Sequence, residues 1–187
     1  PMLHLPSTCP ELKTKRLLLR PFVLEDAPRV TEIAQDREVA DTTQSIPHPY
    51  TIEDARNWIL PQYRDTQEGR LYTWAIPLQS SQEIIGATNL EIHAQYRWAD
   101  LGYWLGKNYW GQGYATESAR CLLEYSFKVL QVHRVQAYHM SRNAPSGRVL
   151  QKLNMRYEGT RRQAMIKWGI FEDLDYYAIL RDKYLRH

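Results

Sequence analysis

Cysteine, phenylalanine and glycine are scarce in the 187 residues, at two, three and nine, and the longest apolar runs cover only a few positions. Cys9 and Cys121 lie far apart, with no CxxC pair and no histidine at metal-ligand spacing. That indicates neither a zinc site nor a disulfide framework, and it fits a reducing cytoplasm. No stretch approaches the roughly 20 apolar residues of a membrane-spanning helix. The first residues lack a charged leader followed by an apolar run, so neither a signal peptide nor a membrane partner is expected. Charge of one sign is also lacking, because 24 basic and 21 acidic residues interleave to a net +3. With no helix-turn-helix, zinc-finger or RNP signature beside so mild an excess, nucleic acid is not an expected direct partner.

What is present is an ordinary globular balance, 43% hydrophobic and 24% charged, without internal repeat, low-complexity tract or Gly/Ser linker. One domain spanning 1–187 is the expectation. Thirteen tyrosines and six tryptophans bring polar-edged aromatics that suit wet clefts as well as cores.

The order of elements predicts an α+β fold of about seven mostly antiparallel strands and about four helices. Residues 14–22 read as a first strand. Leu24-Glu25-Asp26 opens a helix to about 35, with acidic residues in its first turn. A breaker segment, Ile46-Pro47-His48-Pro49-Tyr50, precedes a second helix that starts from Thr51, with Asp54 three residues on as a near capping box and Pro61 as a kink. Strands at 71–78, 83–93 and 99–105 form an antiparallel meander. Over 114–130 the period becomes helical, with Ala115, Ala119, Leu122, Leu123, Ser126 and Phe127 on one face. A strand at 133–140, a helix at 144–153 and a closing antiparallel pair at 155–167 and 170–181 complete the chain.

Two segments carry chemistry. Tyr109-Trp110-Gly111-Gln112-Gly113-Tyr114-Ala115-Thr116-Glu117 lies where a strand gives way to the long helix. Glycines there let the backbone approach a ligand, and the first free N–H groups of the helix make an anion site. The loop matches neither GxxxxGK[ST] nor GxGxxG, so triphosphate and dinucleotide sites are disfavoured. By itself it reads first as a tight strand-to-helix turn. The second segment is Asn143-Ala144-Pro145-Ser146-Gly147-Arg148-Val149-Leu150-Gln151-Lys152-Leu153-Asn154-Met155.

Together, YWGQGYATES and NAPSGRVLQKLNM resemble the YWGxGYATEA and NxxSxxVLEKLGF segments of the GCN5-related N-acetyltransferase (GNAT) family, in its RimJ/RimL-like branch named for acetylation of ribosomal-protein N-termini. The resemblance covers nearly the whole chain. It implies the GNAT fold and acetyl-CoA as cosubstrate, with no metal. The backbone around Gly111, Gln112, Gly113, Tyr114 and Ala115, with Thr116, would hold the coenzyme A pyrophosphate. Leu105 would offer main-chain groups to the pantetheine arm, Asn143 would bond to that arm, and Ser146 would sit near the thioester sulfur. Lys152 would reach a nucleotide phosphate. Trp110 departs from the [Q/R]-x-x-G-x-[G/A] of the wider family. Asn154-Met155 stands where the family often has Gly-Phe; asparagine tolerates the left-handed cap conformation. Taken singly, Asn143 reads as a helix cap, Ser146 as a first-turn residue and Lys152 as a solvated lysine.

The implied reaction is direct attack of a neutral amine on the thioester. The oxyanion then needs a donor, which a strand N–H near Leu105 would supply, and the thiolate needs a hydrogen bond, for which Ser146 is the candidate. Glu91 and Asp100 are candidates for the base, directly or through water, beside the plainer reading of solvated strand carboxylates. The acceptor amine is left open among a peptide N-terminus, as on a ribosomal protein, and a small amine such as a polyamine or aminoglycoside. Glu172, Asp173 and Asp175 are candidates to greet its charge, beside the plainer and preferred reading of a solvated turn. The alternative class is a non-catalytic coenzyme A or acyl-CoA binding module. A homodimer through an exposed strand is compatible with either.

Overall fold

The computed structural model describes residues 3–186. Among them are eight strands: β1 (Leu12–Lys13), β2 (Leu18–Pro21), β3 (Leu71–Pro77), β4 (Ile84–His93), β5 (Trp98–Leu105), β6 (Arg134–Met140), β7 (Arg156–Lys167) and β8 (Ile170–Leu180). The α-helices are α1 (Ala27–Ala34), α2 (Arg37–Asp41), α3 (Ile52–Ile59), α4 (Gln62–Gln67), α5 (Tyr114–Lys128), α6 (Ala144–Lys152) and α7 (Arg181–Tyr184). The strands form one sheet in the order β1-β2-β3-β4-β5-β6-β8-β7. Every neighbouring pair is antiparallel except β5 and β6.

Helices cover the sheet on both faces. Over one face lie α5 and α6, and α5 buries Ala119, Leu122, Leu123, Ser126 and Phe127 against Leu19, Trp74, Leu90 and Leu101 of the strands. This is the face that the helical period predicts, although Ala115 is only partly covered. Burying a leucine such as Leu122 fully contributes about 2 kcal/mol, so this layer is the main apolar reservoir. The other face carries a second cluster, in which Val30, Ala34, Val39, Ile46, Ala55 and Ile59 meet under α1 to α3. There Trp58 packs between Phe22 and Trp104.

The expected elements are present, with additions and corrections. The first strand does not run unbroken through 14–22. The Thr14 N–H donates to the Leu17 carbonyl at 3.0 Å and the Leu17 N–H to Thr14 Oγ1 at 3.0 Å, folding Lys15 and Arg16 into a turn between β1 and β2. Pro61 ends a helix and does not merely kink it, since proline cannot donate to the preceding turn; α3 stops at Ile59 and α4 starts at Gln62. The Thr51/Asp54 capping box forms as expected. The short α2 has no sequence period to announce it; Asp36 caps it by accepting the Glu38 N–H at 2.8 Å, and Val39 and Ala40 bury beneath it. No described helix is long and apolar enough to cross a membrane.

Candidate active site

The parallel pair β5 and β6 is joined only at Trp98 with Arg134, Ala99 with Val135 and Asp100 with Gln136. Beyond that register the two strands continue to Leu105 and Met140 without pairing, and a wedge opens in the middle of the sheet. The Gly106 N–H bonds the Ile85 carbonyl at 2.8 Å, so Leu105 opposite Gly86 occupies a non-hydrogen-bonded register, with its own N–H and C=O turned away from β4. The same alternation turns the main-chain groups of Tyr103 into the wedge. These are unpaired strand groups of the kind an extended amide chain can meet. The Leu105 carbonyl is already taken by the Trp110 indole N–H at 2.9 Å, which leaves its N–H for a ligand.

At the mouth of the wedge lies the glycine loop. Gly111 and Gly113 have φ of 70° and 83°, the left-handed region that side chains disfavour, and Gly113 is the N-cap of α5. No side chain caps this helix, so the N–H groups of Tyr114, Ala115 and Thr116 face outward as a ready anion site. A groove of about 480 Å³ runs beside it, bordered by Lys15, Arg16, Arg120 and Lys152 as well as Gly113 and Thr116. Gln112 is tied by its side chain to the Asn108 carbonyl at 2.9 Å.

The loop is braced from the chain's first strands. Arg16 reaches Glu117 through Nε at 2.6 Å and through its own backbone N–H at 2.8 Å, donates to the Gln112 carbonyl at 2.9 Å, and lies 4.2 Å over the Tyr114 ring. Thr14 Oγ1 adds a 2.7 Å bond to the same carboxylate. Burial raises the Glu117 pKa, but the bonds from Thr14 and from Arg16 outweigh it and hold the carboxyl below its ordinary value. Sequence reading assigned Arg16 no role, because its partner lies about a hundred residues away.

α6 supplies the other wall. Asn143 is its N-cap, with Oδ1 accepting the Ser146 N–H at a long 3.5 Å, and Ser146 follows in the first turn. Ser146 Oγ lies 2.8 Å from the hydroxyl of Tyr103, which reaches across from β5. Burial pushes the Tyr103 phenol up to about 12, and the Ser146 bond only partly offsets that. Gly147 lets α6 lie directly on β6, for a Cβ there would stand 2.8 Å from His139 Nε2. Lys152, at the C-terminal end of α6, is exposed above the groove, and Asn154 takes the left-handed cap at φ 58°.

On the opposite face of the sheet, at the apex of the wedge, Asp100 accepts from Gln136 Nε2 at 2.8 Å and lies 3.0 Å from His93 Nε2. The His93 ring stacks on Trp98 at 3.8 Å, and the exposed Glu91 is the cross-strand partner of Asp100. The donor atoms of Glu91, His93 and Asp100 lie within 4.8 Å of one another. Sequence reading named both carboxylates and missed His93, Gln136 and Tyr103. Period-2 alternation carries a signal for two of these, since it sets His93 on the face of Glu91 and Tyr103 on the face opposite Asp100.

The acidic residues of the last hairpin are differently employed. Glu172 accepts from Arg142 at 2.8 Å, Asp173 from the Gln163 N–H at 2.8 Å and Asp175 from Ser141 at 2.8 Å. Glu172 and Asp175 tie the hairpin to the segment before α6, and Asp173 bridges its two strands.

The family profile described as acetyltransferase (GNAT) domain matches residues 16–156. The uncharacterized N-acetyltransferase YnaD of Bacillus subtilis is 32% identical over 174 residues, covering 92% of this chain and 98% of that one. The [ribosomal protein uS5]-alanine N-acetyltransferase of Escherichia coli is 24% identical, over 87% of this chain and 86% of its own. Mycobacterium smegmatis RimJ, solved in complex with CoA-disulfide, superposes with a TM-score of 0.84 at 22% identity, covering 95% of this chain and 90% of that chain. A wedge between two parallel strands, a glycine loop at its mouth and a match over most of the chain make this protein a member of the GNAT family, an acetyl-CoA-dependent N-acetyltransferase.

Proposed function

We propose that the chain acetylates the N-terminal α-amine of a protein or peptide, with acetyl-CoA entering from the α5–α6 face of the sheet and the amine from the Asp100 face. The observation that carries this reading is the parting of β5 and β6 at Asp100 and Gln136, with Ser146 on one side of the gap and Asp100, His93 and Glu91 on the other. The Gly111–Thr116 backbone would hold the pyrophosphate, with Lys15, Arg120 and Lys152 near the remaining phosphate. The free N–H groups of Tyr103 and Leu105 would meet the pantetheine arm and the oxyanion. Asn143 would steady that arm, and Ser146 Oγ–H would donate to the departing sulfur.

The base side of the site selects among amines. Carboxylates and an imidazole are weak bases, sufficient for an α-amine of pKa about 7.7–8.0, which is partly neutral already, and insufficient for a lysine side chain near 10.4. Asp100, held by His93 and Gln136, would take the proton directly or through water while the C–N bond forms. The sulfur leaves as thiolate and takes a proton from solvent on release. The activity of the Escherichia coli relative on a ribosomal-protein alanine supports a protein N-terminus, and ribosomal proteins are the first acceptors to try. A cytoplasmic setting accords with free Cys9 and Cys121, whose thiols burial pushes to about 12 and about 11. A binding-only role is not favoured, since the relatives are transferases by name.

The test is thiol release from acetyl-CoA with peptides bearing free or blocked N-termini, lysine-containing blocked peptides, polyamines and aminoglycosides. Turnover confined to free N-termini is expected; turnover confined to small polyamines or aminoglycosides would overturn the acceptor assignment.

A further inference from the structure

Tyr103 reaches from β5 across the wedge to the serine of α6. Its hydroxyl has two acceptors in range, Ser146 Oγ at 2.8 Å and the Ser146 carbonyl at 3.3 Å. The carbonyl lies inside an α-helix, where the N–H four residues on is its partner, and the contact is long for a hydroxyl donor. Oγ is closer and lies within the usual O–H···O range. A serine hydroxyl has one proton to give. If that proton goes to the phenol, none is left for a sulfur; if the phenol donates to Oγ, the serine proton is free to point elsewhere.

We propose that Tyr103 is the positioning residue for Ser146, donating its phenolic hydrogen to Oγ so that the Oγ–H is directed at the departing thiolate. This rests on the reading of Ser146 as the sulfur's donor. Two further features suit the task. Desolvation keeps the phenol protonated, and therefore a donor, across the whole working pH range. Gly147 seats α6 against His139, so the serine backbone is set by packing while its hydroxyl rotor is set by Tyr103. A donor chain of this kind strengthens the terminal hydrogen bond, because each bond polarises the next. No proton need pass through the tyrosine. It forms no bond to the substrate and acts only through the serine.

The experiment compares wild type, Tyr103→Phe, Ser146→Ala and the double variant by steady-state thiol release and by calorimetric titration with coenzyme A, with melting temperatures recorded alongside. Tyr103→Phe keeps the ring and its packing. It is expected to lower kcat about 10-fold while leaving coenzyme A affinity within about twofold, and the double variant is expected to be no slower than Ser146→Ala alone. If Ser146→Ala slows turnover but Tyr103→Phe does not, the inference falls and the role of Ser146 stands. If Ser146→Ala leaves kcat unchanged, the reading of Ser146 falls and takes the inference with it. A Tyr103→Phe variant that weakens coenzyme A binding in proportion to kcat, or losses that add in the double variant, would make Tyr103 a structural residue only.

Discussion

On the α5–α6 side of the wedge the anion site is made of backbone. Two left-handed glycines and the first N–H groups of α5 would do the holding, and their positions follow from one unbroken run of residues. On the Asp100 side every candidate group is a side chain, drawn from β4, β5 and β6 and held in place by its neighbours. A backbone site tolerates exchange of most of its side chains but not of its glycines. A side-chain site tolerates backbone change poorly and depends on individual atoms.

The sharpest way to break this contrast is Asp100→Asn, which keeps the shape and removes the charge. Under the proposed roles it lowers kcat about 100-fold with little change in KM for acetyl-CoA, the scale of a lost general base. An equal rise in KM would show that the two faces are not separate. Next comes Gly113→Val, which forces a β-branched residue to φ 83° with its Cβ 3.3 Å from Arg16 Nη2. Strain of that kind costs about 1–3 kcal/mol, and KM for acetyl-CoA is expected to rise about 10-fold or more at nearly constant kcat.

Glu117→Gln probes the brace beneath the loop, with an expected rise of about threefold in that KM as Arg16 and Thr14 lose their charged partner. It also carries a pH signature. The folded-state pKa of Glu117 is lowered, so its contribution to stability is fully present above the ordinary carboxylate value of 4.5 and is lost as pH falls through the lower folded value. Denaturant midpoints measured from neutral to acid pH should converge for wild type and variant below that window. The smallest effect is that of Lys152→Ala, an exposed cation near the groove. It should weaken coenzyme A binding about twofold to fivefold at low salt and by less in high salt, because exposed charges are screened.

The legibility of the molecule follows the same division. The boundaries of α5, α6 and the strands from β3 onward are close to those the periodicity predicts, because each is long enough to show its period. The two-residue β1, the five-residue α2 and the split at Pro61 are too short for a period to form; the packing of Leu12, Val39 and Ile59 and single caps decide them. Of the site, the loop, Asn143 and Ser146 could be named from contiguous motifs. Glu91 and Asp100 could be named only as members of central strands. That they meet His93 and Gln136 at the apex of the wedge depends on strand register.

By itself the sequence determined the family, the order of the long elements and the place of the glycine loop that is the candidate anion site, since glycine punctuation and helical period are local properties written in consecutive residues. Only the tertiary structure decided that β5 and β6 part after Asp100, that Arg16 braces a loop a hundred residues downstream, and that Tyr103 meets Ser146. Each of these joins chain segments whose separation in sequence says nothing of their distance in space, and the shared core between sheet and helices is what brings them together.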